Sequence, residues 1–310
     1  MANTPESISY IQIGQDVHPI DASTIGGETI TNIENTFQLI ENLVTEIDSN
    51  STDTEYPSAK LLYDMIWGDE GEHQDEPLFD YSQEYLTFDV VEGGTILWKV
   101  FGDNSYGKTI SYSLNDGNWT SITSTTSGVS INVNSGDSIK FKGNNSTYCV
   151  SGRTYFYNYF SGTATFNASG NIMSLVGGDD FSELNTLTSS YEFYSSIFYQ
   201  SKVISCKNLI LPATTLTDSC YKYMFYKCTS LTEAPELPAT TLVNNCYAYM
   251  FQDCTSLHYI KVLATSLTFN SCTNWVSGVS TTDGTFVCSS QYFWRPDSSG
   301  RPSGWTVEYV

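Results

Sequence analysis

Basic residues are scarce in this chain of 310 residues: 13 Lys and Arg stand against 34 Asp and Glu, a formal charge of −21. The deficit is concentrated at one end. Residues 1–92 hold 20 acidic residues and one basic residue, Lys60, a balance of −19; residues 93–310 hold 14 acidic and 12 basic residues, a balance of −2. Phosphate backbones are gripped by clustered Lys and Arg, so the charge argues strongly against nucleic-acid binding by the N-terminal part, and no nucleic-acid partner is expected. No run approaches the roughly 18 apolar residues of a membrane helix, so no membrane insertion is expected. The opening MANTPESISYIQIG lacks the basic and apolar regions of a secretory signal, which predicts a product of the cytosol.

Catalytic motifs are missing too. The sequence has no Gly-x-Ser-x-Gly, no His-Glu-x-x-His and no phosphate-binding glycine loop, and His18, His73 and His258 fall in separate segments. Asp179, Asp180 and Glu183 suggest no acid/base partner by spacing and read as a loop. His73, among Glu70, Glu72, Asp75 and Glu76, lacks calcium-loop spacing and reads as solvated linker. The expectation is a protein without enzymatic activity, cofactor or metal.

What the chain does have is Ser and Thr at about a quarter of its residues, with 22 Tyr, 16 Phe and 22 Gly. That mixture predicts β-structure built on turns. The expected fold class is mostly β with short helices: an N-terminal helical or coiled-coil anchor, a β-sandwich, then a short leucine-rich-repeat solenoid. The modules are placed at residues 1–83, 84–165 and 166–310.

In the first module a strand-like stretch at Ser7–Ile13 precedes the clearest periodicity. Ile30, Ile33, Phe37, Ile40, Val44 and Ile47 are spaced 3, 4, 3, 4, 3, a heptad seam. Isoleucine at d leans toward three or four strands, so a homotrimer is expected. A single amphipathic helix packed on its own domain is the competing reading. Pro57 and Ser58 can open a second helix carrying Leu61, Leu62, Met65 and Ile66, and the acidic run 69–80 reads as an extended linker.

The second module alternates apolar and polar residues in short runs. They are Leu86, Phe88, Val90; Ile96, Trp98, Val100; Ile110, Tyr112, Leu114; Val129, Ile131, Val133; and Ile139, Phe141. Asn115-Asp116-Gly117-Asn118 is a hairpin turn, since Asp-Gly tolerates positive φ. This rhythm is that of an antiparallel sandwich. The cluster Tyr155, Phe156, Tyr157, Tyr159 and Phe160 reads mainly as core, with a sugar-stacking surface as the alternative.

The third module contains a repeat of period 26. Residues 211–236 read LPATTLTDSCYKYMFYKCTSLTEAPE and 237–262 read LPATTLVNNCYAYMFQDCTSLHYIKV. A degenerate copy aligns Tyr194–Ser201 with Tyr221–Cys228, and a truncated copy follows at Leu263–Leu267. Such units bury their apolar faces only by stacking, and irregular end copies cap the stack. Cys220, Met224, Phe225 and Cys228, spaced 4, 1 and 3, predict one face of a short helix, with a strand beginning near Leu231. The eight Cys all lie beyond residue 148 and read as buried core thiols, with disulfides or a metal site as alternatives. Tyr221, Tyr223, Tyr247 and Tyr249 recur at equivalent positions and are the candidate adhesion surface, repeat packing being their competing role.

LPATTL, the Tyr-x-Tyr-Met-Phe run and CTSL resemble bacterial surface leucine-rich repeats of the BspA-like type, common in gut Bacteroides-group bacteria and their phages. Trp275–Val279, Gly284-Thr285-Phe286 and Pro302–Val307 are similar to the C-terminal cap of those proteins, and the resemblance covers about residues 95–310. Tyr56–Asp64 resembles a short segment of tailed-phage fibre proteins. These resemblances imply a virion structural protein, a head fibre or capsid decoration. Its N-terminus would attach to capsid or other virion proteins, and its outer modules would adhere to host cells or glycans. The implied location is the virion surface, after assembly in the host cytoplasm. A tail-associated receptor-binding fibre and a bacterial surface adhesin are the alternatives.

Overall fold

The computed structural model describes residues 10–13, 16–19, 80–150, 153–187, 193–280, 282–289 and 294–310. The heptad residues Ile30–Ile47 and the Tyr56–Asp64 segment lie outside them. The chain divides into two compact units, Met1–Leu78 and Phe79–Val310. In the first, β1 (Tyr10–Ile13) and β2 (Asp16–Pro19) form an antiparallel hairpin that pairs Tyr10 with Pro19 and Ile13 with Asp16.

The second unit is mostly β. Its first part holds β3 (Leu86–Glu92), β4 (Gly94–Val100), β5 (Thr109–Leu114), β6 (Thr120–Thr123), β7 (Val129–Val133) and β8 (Ser138–Gly143). Then come β9 (Cys149–Val150), β10 (Arg153–Gly162) and β11 (Thr165–Asn171). Further on lie β12 (Val203–Ile210), β13 (Thr241–Leu242), β14 (Tyr259–Val262), β15 (Ser266–Leu267), β16 (Thr285–Cys288) and β17 (Thr306–Tyr309). One sheet runs β7-β4-β10-β9 and the other β12-β11-β3-β8-β5-β6.

The period-2 pattern places the core. On β4, Ile96, Trp98 and Val100 are buried while Leu97 and Lys99 are not. Phe160 on one sheet meets Phe88 and Phe141 on the other, at ring-centroid distances of 4.9 and 4.8 Å, so the two sheets share one aromatic interior. The hairpin between β5 and β6 turns one residue earlier than Asp-Gly would place it. Asn115 (φ 49°) and Asp116 (φ 53°) take the left-handed conformations, and the Gly117 N–H donates to the Leu114 carbonyl at 2.9 Å. Asn and Asp tolerate that region well enough to make the tight primed turn.

A boundary at 165/166 would cut the sandwich. β11 pairs antiparallel with β3, and its Phe166 stacks on Phe88 at 4.2 Å, so residues 165–171 complete the sandwich core. The same strand pairs in parallel with β12, where the repeat region begins. Parallel bridges from Ser205 to Glu233 and from Glu233 to Tyr259 carry the sheet on to β14, β16 and β17. Sandwich and repeats are therefore joined through one hydrogen-bonded sheet.

The repeat units stack, and the segment read as a helix is something else. Ser219, Tyr223 and Lys227 have φ of 58°, and Asn245, Tyr249 and Asp253 follow with 53°, 59° and 60°. Every fourth residue is left-handed, which no α-helix allows. The N–H groups of Lys222, Met224, Tyr226 and Cys228 close turns onto carbonyls three residues back. Those of Tyr221, Tyr223, Phe225 and Lys227 donate instead to Cys246, Ala248, Met250 and Gln252 in the next coil, at 2.8–3.0 Å. Each segment is thus a ribbon of turns laddered to its neighbour, and the ladder offsets the cost of the left-handed residues, roughly 1–2 kcal/mol each.

The ribbon's period of four sends Cys220, Tyr221, Met224, Phe225 and Cys228 inward, each no more than 1% exposed. Stacking aligns them in columns. Phe198, Phe225 and Phe251 follow one another at 5.2 and 5.5 Å, stacked with their planes nearly parallel. The Cys228 and Cys254 thiols donate to the carbonyls of Phe198 and Phe225, one coil back, at 2.9 and 3.0 Å. Trp275 closes the stack against Tyr247 and Phe251, and its indole N–H donates to the Gly300 carbonyl at 2.6 Å.

Candidate adhesion surface

The four repeat tyrosines separate into two kinds. Tyr221 and Tyr247 are 1% exposed and lie in the column begun by Tyr194, so the adhesion role expected of them is corrected to core packing. Each stands midway between two of the ribbon's left-handed residues, Ser219 and Tyr223 for Tyr221, Asn245 and Tyr249 for Tyr247, on the inward-facing side. Tyr223 and Tyr249 occupy the left-handed positions themselves. They are half-buried, and their rings stack at 4.7 Å with an 8° interplanar angle.

These two rings end a longer tract. Tyr226 packs edge-on against Tyr223 at 5.4 Å and stacks on Tyr199 at 5.2 Å. Tyr199 then meets Tyr157 and Tyr159 of β10 at 5.5 and 6.0 Å, and Tyr157 stacks on the exposed Phe101 at 5.2 Å. The tract crosses from the sandwich to the repeats without a break. Of the sandwich cluster, Phe160 is core, while Phe156 and Tyr159 are only half-buried.

Lysines border these rings. Lys99 Nζ lies 5.8 Å from the Tyr159 ring, Lys222 Nζ 5.4 Å from Tyr223 and Lys227 Nζ 5.2 Å from Tyr226. Each contact is a cation over a ring face, worth about 0.5–1 kcal/mol at an accessible site. Burial, followed by the neighbouring Tyr199 hydroxyl, raises the Tyr159 phenol above its ordinary value. Burial likewise raises Tyr157. Both hydroxyls stay protonated at neutral pH and can donate hydrogen bonds.

Tyr199, Tyr226 and the three lysines are not among the residues expected from sequence, whereas Tyr159 belongs to the sandwich cluster for which a sugar-stacking surface is the alternative to core. The alignment of Tyr194–Ser201 with Tyr221–Cys228 already pairs Tyr199 with Tyr226, and that register was the available signal. Asp179, read as a loop residue, accepts hydrogen bonds from Tyr85 Oη at 2.7 Å and Lys142 Nζ at 2.6 Å, which hold its carboxyl below the usual range. Lys142 also caps the Trp119 ring at 4.3 Å, closing this group on itself. Among the described residues no group of three His, Cys, Asp or Glu could hold a metal ion. The chain matches no family model, no curated protein and no solved structure.

Proposed function

We propose that the protein is a structural fibre of a tailed-phage virion, a head fibre or capsid decoration. In this reading the acidic N-terminal module forms a homotrimer through Ile30, Ile33, Phe37, Ile40, Val44 and Ile47 and attaches to capsid or other virion proteins. The Phe79–Val310 unit, a β-sandwich followed by a leucine-rich-repeat solenoid, projects outward and adheres to host cells or glycans through the Tyr223–Tyr249 side of the ribbon. The observation that carries the reading is the continuity of that unit: a sheet and an aromatic tract both run unbroken from sandwich to repeats. A display element bears load at a distance, and a joint held by a hydrogen-bonded sheet transmits it. A tail-associated receptor-binding fibre or a bacterial surface adhesin would use the same outer unit.

Two experiments test this. Mass spectrometry of gradient-purified particles should find the chain among the virion proteins; its recovery only from the bacterial envelope would favour the adhesin. Light scattering should give three times the 34.5 kDa of one chain, and Phe37→Asp with Ile40→Asp should reduce it to one. A monomeric wild type at micromolar concentration would rule out the seam as a trimerisation element in free solution.

A further inference from the structure

We infer that the tyrosine–lysine tract binds an anionic polysaccharide, one bearing carboxylate or sulfate groups along its chain. The inference rests on the adhesion reading above and names the ligand class of that surface.

The chemistry follows from what the tract exposes. In the pairs Tyr199–Tyr226 and Tyr223–Tyr249 the rings lie parallel at 5.2 and 4.7 Å, so each ring spends one face on its neighbour. Lys222 and Lys227 lie over Tyr223 and Tyr226. Few ring faces remain for a nucleic-acid base, which needs an open platform to stack on. The surface offers ring edges, phenol hydroxyls and ammonium groups instead. Those groups match a sugar polymer, whose hydroxyls take part in hydrogen bonds and whose acidic substituents accept charge-assisted ones.

Charge placement favours the anionic class. In a chain of formal charge −21, three lysines border one run of four tyrosines at the sandwich–repeat junction. Asp253 takes the ribbon position of Lys227 one coil further on, so the basic end of the tract is the end nearer the sandwich. Ligand contact therefore extends from Tyr223 through Tyr226 and Tyr199 to Tyr159, with Tyr249 at the less basic end of the same surface.

The number of adjoining rings favours a chain over a single sugar. Tyr199, Tyr226, Tyr223 and Tyr249, all half-buried, follow one another in steps of 4.7–5.4 Å, and Tyr159 adjoins Tyr199 at 6.0 Å.

The test is calorimetric titration of the full chain with dextran, dextran sulfate and polygalacturonate of matched length, and with a thymidine oligonucleotide. Dextran sulfate or polygalacturonate should bind, more weakly at higher salt, and dextran should not. Lys222→Gln with Lys227→Gln should weaken binding about tenfold or more. Lys140→Gln, whose lysine pairs with Asp116 on the sandwich, should leave binding unchanged. If the double variant melts early, the exposed Lys227→Gln alone should still reduce affinity. Equal binding of dextran, an unchanged affinity in the lysine variants, no binding of either anionic polymer, or tighter binding of the oligonucleotide would each overturn the inference. None of those results would remove the protein from purified particles. Conversely, absence from particles with polysaccharide binding intact would sink the virion reading alone.

Discussion

Taking the protein from pH 8 to pH 10 should remove about 8 kcal/mol of the stability of the Phe79–Val310 unit. The cause is the stacked thiols. Cys206, Cys220, Cys228, Cys246, Cys254 and Cys272 are buried, and burial pushes each thiol above its ordinary value of 9.0, Cys228 and Cys246 to about 12. In the unfolded chain the same thiols ionise around pH 9. The folded values are the higher ones, so the stability is fully present below pH 9 and is lost as pH rises toward 12. Each thiol ionised only in the unfolded state costs about 1.4 kcal/mol per pH unit, and six act together. Domains are typically stable by about 5–15 kcal/mol, so a loss of this size unfolds many of them. Above pH 10 the buried phenols of Tyr194, Tyr221 and Tyr247, raised chiefly by burial, add to the loss. Denaturant titrations at pH 8, 9 and 10 measure the effect. Replacing Cys228 and Cys254 by Ala removes two of the six thiols and should lower the pH slope by about a third. A stability that is flat from pH 8 to 10 would mean that these thiols are not buried as the columns require.

Gly170→Ala should destabilise the same unit by about 4 kcal/mol, lowering its melting temperature by about 10 °C. Gly170 lies on β11, the strand that joins sandwich to repeats, with a φ of 77°. A Cβ there would run into the carbonyl of Tyr85. That carbonyl is backbone of the same sheet and cannot swing aside like a flexible side chain. Gly136 provides the comparison. Its φ is 86°, in the turn between β7 and β8, and an added Cβ would meet nothing within 4 Å. Gly136→Ala therefore isolates the backbone term and should cost about 1 kcal/mol. The difference between the two measures how tightly the joint is built. Equal effects would contradict the packing described at β11.

Much of the sandwich is legible in the sequence because one-sided burial imposes alternation. Ile96, Trp98 and Val100 cannot all face the core in any other regular conformation, and β4 follows from them. The 26-residue repeat is legible for a related reason: stacking demands the same side chain at the same place in each coil. The ribbon is misread because its period is four. Cys220, Met224 and Cys228 at intervals of four suit a helix of 3.6 residues per turn almost as well. The distinguishing feature, a left-handed residue every fourth position, falls on Ser219, Tyr223 and Lys227, where no glycine marks it. The same error put Tyr221 and Tyr223 on one surface. In a ribbon, residues two apart point to opposite sides, and Tyr221 goes to the core. The tyrosine tract was legible only in part, because Tyr159 joins Tyr199 through tertiary packing that no local pattern records.

The central claim, that the compact Phe79–Val310 unit is displayed on a virion by an N-terminal anchor, is tested most directly by immunogold electron microscopy. Antibody raised against the full chain would be applied to purified phage particles and to uninfected bacteria. The account predicts label on the particles, spaced over the capsid, and none on the uninfected cells. Label on the tail would move the protein to the receptor-binding fibres. Label confined to bacterial surfaces would contradict the virion assignment and make the protein an adhesin of the cell.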